Sequence, residues 1–156
     1  MKSKYILLLL LLSFSSIVLA ENNKMYDKYS EMKGVTSVYI SKSMLQLISN
    51  FDMKFDGLDI SKISSKLTGI YILTTEDPAI ASRMKKDTER VDNNKRYEPL
   101  MKVKDDESDV VFYTLPKNKE VIKEMIVLVN EKSEFVMIQL LGEMTLDDIR
   151  QIIKKK

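Results

Sequence analysis

The stretch Glu134-Phe135-Val136-Met137-Ile138-Gln139-Leu140-Leu141-Gly142 constrains the fold most, because its apolar side chains would fill both faces of an extended segment. Its length, the polar turn Asn130-Glu131-Lys132-Ser133 ahead of it and the closing Gly142 favour strand over helix. Buried strands run about 4–8 residues, whereas helices usually need about 10 or more. Met125-Ile126-Val127-Leu128-Val129 is a second such run, and the short turn joins the two into a hairpin that can nucleate an antiparallel sheet. Val136, Ile138 and Leu140 would point one way, and Phe135, Met137 and Leu141 the other. Both faces of the sheet therefore need cover, from helices of the same chain or from a partner.

The chain opens on the basic Met1-Lys2-Ser3-Lys4, runs through the apolar Ile6 to Leu12 and reaches Val18-Leu19-Ala20. This is the pattern of a signal peptide over residues 1–20, cut between Ala20 and Glu21. The apolar part is short for a membrane span of about 20 residues, so no stable membrane anchor is expected after cleavage. Residues 21–156 then form one domain of ordinary size. Without Lys2 and Lys4 that domain carries 23 basic and 23 acidic residues. Electrical neutrality argues against a nucleic-acid partner, which normally demands a basic excess. The one basic cluster, Lys154-Lys155-Lys156, falls where a helix dipole favours cations. The chain has no cysteine, which excludes disulfides and a lipid anchor on a first mature cysteine. It has no histidine, which excludes His-based triads and His-ligated zinc or haem. The expected location is the periplasm or the medium.

Between these ends the pattern predicts a short helix from Lys24 to Lys33 stopped by Gly34, and a strand over Val35 to Ile40. A helix follows, capped by Ser41 or Ser43, with Met44, Leu47, Ile48 and Phe51 on its apolar face. Asp52 to Asp59 reads as a loop, followed by a short helix over Ile60, Ile63 and Leu67. A strand from Gly69 to Thr75 leads into a helix capped by Asp77 with Pro78 in its first turn. Ile80, Met84 and Val91 give that helix a narrow stripe, with Arg83, Lys85, Lys86, Asp87 and Glu89 expected in water. This succession permits a right-handed parallel crossover between the first two strands. From Tyr97 the grammar is a meander: Leu100 to Lys104, Val110 to Leu115, Val121 to Val129 and Phe135 to Leu141, with Pro116 ending the second of these. Thr145 and Asp148 form a capping-box variant that starts a closing helix, with Leu146, Ile149, Ile152 and Ile153 as its buried face. The predicted fold is a single α+β domain, an antiparallel-rich sheet of about six strands with packed helices.

Two stretches, Lys33-Gly34-Val35-Thr36-Ser37-Val38-Tyr39-Ile40-Ser41-Lys42 with Met44-Leu45, and Phe135 to Gly142, resemble the two ends of the domain of unknown function family 4252. The similarity extends through Tyr97-Glu98-Pro99-Leu100-Met101 and the Lys104-Asp105-Asp106 turn. The resemblance implies a small exported protein of Gram-negative bacteria with an α+β fold, and it supplies no catalytic residues.

The candidate chemistries are few. Asp105-Asp106-Glu107-Ser108-Asp109 is the densest carboxylate cluster, but its spacing matches no calcium loop and it lies where a hairpin needs polar turn residues. Ser41, Ser43, Ser61, Ser64 and Ser65 lie near lysines, but none has the Ser-x-x-Lys spacing, and helix capping accounts for them. The scattered methionines read as adaptable core fillers, and Tyr26, Tyr29, Tyr39, Tyr71, Tyr97 and Tyr113 mainly as amphipathic packing. No catalytic, cofactor or metal residue is assigned. The expectation is a non-catalytic envelope binding or regulatory module acting through protein contacts, with an envelope protein or a second copy as partner. The alternative is a His-independent, carboxylate-based hydrolase of glycosidase type, which a deep pocket with two convergent carboxylates would favour.

Overall fold

A computed structural model describes residues 24–47, 54, 55 and 58–153. The cleavage expected between Ala20 and Glu21 lies outside the described residues, as do Ile48, Phe51 and Lys154 to Lys156.

Helix α1 spans Lys24–Tyr29, β1 Thr36–Ser41 and α2 Lys42–Leu47, and a two-residue pair follows, β2 Lys54–Phe55 with β3 Leu58–Asp59. A 3-10 turn over Ser61–Lys66 leads into β4, Leu67–Thr75, and helix α3, Pro78–Asp92. Strands β5 (Glu98–Lys104), β6 (Ser108–Pro116), β7 (Ile122–Glu131) and β8 (Phe135–Met144) come next, and α4 (Leu146–Ile153) closes the domain. The main sheet has six strands in the order β1-β4-β8-β7-β6-β5, and every neighbouring pair is antiparallel. The α+β expectation holds, and the strand built on Phe135 is third of six.

The parallel crossover that the succession permitted between the first two strands is not made. β1 and β4 pair antiparallel, with Ser41 opposite Gly69 and Thr36 opposite Thr74. Helix α2 has six residues, about 9 Å of axis, too little to match a six-residue strand of about 20 Å, and β4 starts beside the end of β1. The 15-residue α3 makes the crossover instead. It carries the chain from β4 past three strands to β5 at the far edge, and alternation of direction through β8, β7 and β6 makes β4 and β5 parallel.

Each face of the sheet has its own core. Val136, Ile138 and Leu140 of β8 lie in a cluster with Leu45 of α2, Ile60 and Ile63 beside the 3-10 turn, and Ile149 and Ile152 of α4. Phe135 and Met137 lie in the opposite cluster with Tyr29 of α1 and Ile80 and Met84 of α3. Intrachain helices thus cover both faces of the central strand.

Local signals place the helix starts. Asp77 Oδ1 accepts from the backbone N–H of Ala79 (2.8 Å) and Ile80 (3.1 Å), with Pro78 in the first turn. At α4 the Thr145 hydroxyl accepts the Asp148 N–H at 3.2 Å, while Asp148 Oδ2 accepts the Thr145 N–H at 2.7 Å. Lys66 adds bonds of 2.6 and 2.8 Å to the same carboxylate, tying the 3-10 turn to α4. Three predicted apolar contacts fail. Met44 and Leu47 are exposed, because α2 packs at the border strand with Leu45 as its buried residue. Leu146, the first residue of α4, is 53% exposed and borders the groove beside Pro116 and Lys117.

Gly142 permits a close approach of two backbone segments in the sheet. A Cβ there would stand 2.3 Å from the Lys66 carbonyl oxygen and 2.7 Å from Leu67 Cα, at the point where the β4 to β8 register shifts.

Candidate functional site

The predicted clusters have structural roles. Asp105 Oδ1 accepts from the N–H groups of Glu107 (2.8 Å) and Ser108 (2.7 Å), which closes the β5 to β6 turn and holds its carboxyl below the usual carboxylate value. Ser41 accepts the Met44 N–H at 3.3 Å, Ser61 donates to Asp59, and Ser64 donates to the Ser61 carbonyl at 2.9 Å, while Ser43 and Ser65 face solvent. Among the described residues, no group of three or more acidic residues is arranged to hold a metal.

The chemistry lies instead on the face covered by α1 and α3. The second half of α3 and the link to β5 stand over β6, β7 and β8 and leave a cavity of about 400 Å³. Leu115, Glu124, Ile126, Met137 and Gln139 form its floor, Met25 and Val91 line its sides, and Lys24, Lys28, Arg90 and Arg96 stand around it with Asp87. Glu124 reaches this floor because it alternates with Ile126 and Leu128 along β7, and Gln139 because it alternates with Met137 along β8. Gln139 is directly opposite Ile126, so Glu124 is its diagonal neighbour.

The Gln139 amide donates to Glu124 Oε1 at 2.7 Å. Glu124 is 0% exposed, and its Oε2 makes no hydrogen bond. A buried polar atom left in this way costs about 1–3 kcal/mol. Burial pushes the Glu124 carboxyl above its ordinary value, against the bonds from Gln139 and Tyr97 and the charges of Lys123 and Arg96, which pull it down.

Asp87 behaves oppositely. Its Oδ2 accepts from Lys28 and, at 2.8 Å, from the Tyr29 hydroxyl. The Lys28 bond, then the Tyr29 bond and the Lys28 and Arg90 charges, outweigh burial and hold this carboxyl below its usual value. The same bond raises Lys28, while burial and then the Asp87 bond raise Tyr29. Asp87 was expected in water. It completes the stripe Ile80, Met84, Val91 at helical spacing, so α3 turns it toward α1.

The family profile for the Domain of unknown function (DUF4252) matches residues 29–152, most of the chain. The chain belongs to the DUF4252 family. The matched span of this DUF4252 chain contains Glu124, Gln139, Asp87 and Tyr97, whereas Lys24 and Met25 of the cavity precede it. Comparison with curated proteins finds no match. Gln139 is visible in the sequence as the one polar residue inside the apolar run Phe135 to Leu141, whereas Glu124 stands without distinction in the strand expected over Val121 to Val129. The signal lay in the hairpin: two polar side chains on one face of paired apolar strands become neighbours once the turn fixes the register.

Proposed function

We propose that this DUF4252 protein is an exported, non-catalytic binding module whose site is the cavity over Glu124 and Gln139. The carrying observation is the fully buried Glu124 with one carboxyl oxygen engaged by Gln139 and the other left without a hydrogen bond at the floor of that cavity. Such a group adds little to a stable core and is well suited to meeting a ligand. Export is supported by the basic start, the Ile6 to Leu12 run and Val18-Leu19-Ala20. Contact with an envelope protein or a second copy remains part of this reading, as the way a loaded module would report. Native mass spectrometry of protein purified from its own envelope fraction tests the site. The expected result is a bound small molecule that is lost when Val91→Trp fills the cavity. Wild-type protein that is free of ligand, and that no member of a small-molecule library stabilises, would refute it.

A carboxylate-based hydrolase is the second reading, favoured by one observation: Glu124 and Asp87 line the same cavity with their carboxyls shifted in opposite directions. Against it, Asp87 is bound to Lys28 and Tyr29, and Glu124 to Gln139. Turnover of chromogenic glycosides that falls at least 100-fold in both Glu124→Gln and Asp87→Asn would favour the enzyme. Absence of turnover in the wild type is the outcome expected here.

A further inference from the structure

The chemistry of the ligand can be read from how the cavity changes along its depth, given the binding reading above. At its inner end is Glu124, wholly buried, with Oε2 making no hydrogen bond. Along its walls are the apolar Met25, Val91, Leu115, Ile126 and Met137, together with the half-buried Asn94 and Tyr97. Where it meets solvent are Lys24, Arg90 and Arg96, all exposed, and Lys28 balanced by Asp87. The lining is therefore hydrogen-bonding at the bottom, mainly apolar in the middle and cationic at the mouth.

We propose that the cavity takes an anionic amphiphile, with its charged head at Lys24 and Arg90, its apolar body along Met25, Val91 and Met137, and a hydroxyl at its buried end on Glu124 Oε2. A hydroxyl both donates and accepts, so it satisfies Oε2 whether or not that oxygen carries a proton. An amine at the buried end could only donate when charged and would have to pass a cationic mouth. A purely apolar end would leave the carboxyl oxygen as it is now, without a bond. The mouth disfavours cationic heads by the same charges that attract anionic ones.

The test uses the mature protein with 13C-methyl methionine, since Met25 and Met137 line the cavity while Met125 and Met144 belong to the opposite core. The probes are 10-hydroxydecanoate, decanoate, decan-1-ol and decylamine. The expected result is that 10-hydroxydecanoate and decanoate shift the Met25 and Met137 signals and leave Met125 and Met144 in place. The hydroxylated acid should bind about tenfold tighter, as one added hydrogen bond to a carboxyl would give. 10-Hydroxydecanoate should bind severalfold tighter than decan-1-ol, which can place its hydroxyl on Glu124 but has no anionic head, and that margin should shrink with added salt. The triple change Glu124→Leu, Gln139→Leu and Tyr97→Phe, which removes the three hydrogen-bonding partners together, should abolish the hydroxyl preference and retain decanoate binding. Lys24→Gln with Arg90→Gln, both at exposed positions, should narrow the preference for 10-hydroxydecanoate over decan-1-ol and leave the hydroxyl preference in place. Decylamine binding as tightly as decanoate, or decan-1-ol as tightly as 10-hydroxydecanoate, at Met25 and Met137 would overturn the anionic assignment while the cavity stands as a ligand site. Equal affinity of the two acids for wild type would overturn the role of Glu124. Failure of every probe to move Met25 and Met137, or equal shifts at Met125 and Met144, would count against the cavity itself.

Discussion

Gly142→Ala should be among the most damaging one-carbon changes in this protein. The added Cβ would lie 2.3 Å from the Lys66 carbonyl oxygen, 2.7 Å from Leu67 Cα and 3.1 Å from the Lys66 carbonyl carbon. All three are backbone atoms of the neighbouring segment, so no rotamer change relieves the overlap, and β8 must move away from the start of β4. Overpacking of this kind costs about 1–3 kcal/mol, and loosening a ladder hydrogen bond at the register shift adds about 1. The total of about 3 is a large share of the roughly 5–15 kcal/mol that holds a domain together. At about 3 °C per kcal/mol for a chain of this size, the melting temperature should fall by about 10 °C. Gly69→Ala, in the adjoining strand, is the control. A Cβ there meets the Tyr71 ring at 3.4 Å and the Tyr39 ring at 3.7 Å, ordinary contacts, so the melt should stay put or rise slightly as the unfolded chain loses freedom. The chain has no tryptophan, so far-ultraviolet circular dichroism is the suitable probe. A Gly142→Ala melt within about 2 °C of wild type, or a Gly69→Ala melt as low as that of Gly142→Ala, would refute the close-approach reasoning.

Phe135→Ala should cost about 3–5 kcal/mol in urea titrations, since Phe135 is buried between the sheet and α3, whereas Asp106→Ala in the exposed turn should change little; the reverse order would mean that strand and turn are misassigned. Asp148 has its pKa lowered below 3.8 because, although burial raises it, the bonds from Lys66 and Thr145 prevail, so its stabilisation is present above about pH 3.8 and lost as pH falls through the folded value. The gap in melting temperature between wild type and Asp148→Asn should narrow on acidification below that point, and a gap constant with pH would contradict the assignment. Glu124 runs the other way: its folded pKa lies above the usual 4.5, so stability falls as pH rises through the folded value, and Glu124→Gln should gain on wild type as pH is raised above about 4.5 in parallel melts. Intact-mass measurement of exported protein should give a chain beginning at Glu21, and full-length chain in the membrane pellet would count against release.

What was legible in the sequence was local. Asp77 with Pro78, and Thr145 with Asp148, announce helix starts because the interacting groups lie within three residues of each other. Phe135 to Leu141 announces a central strand because apolar residues on both faces leave it no other place. What was not legible depended on register and on partners distant in sequence. Lys66 meets Asp148 across 82 residues, and no spacing rule connects them. Asp87 was recoverable in principle, since it keeps the helical period of Ile80, Met84 and Val91, but a carboxylate in an apolar stripe reads as solvent-facing until Tyr29 and Lys28 are brought to it. Glu124 was hidden similarly, one polar position in a strand whose neighbours become known only when the hairpin is paired.

The two borders of the six-stranded sheet are chemically unlike. β5 carries Pro99, Lys102, Lys104 and a register irregularity, all of which discourage a further strand. β1, with the sequence Thr-Ser-Val-Tyr-Ile-Ser, has no charge and no proline, and its Val38 and Tyr39 are exposed, Tyr39 being stacked on Tyr71 at 4.7 Å. Addition of strands to this sheet is therefore directional. Two copies meeting through β1 would each present β5 outward, and growth would stop at a pair instead of propagating into a fibre. A border that discourages a further strand thus ends any such chain of contacts at the second copy.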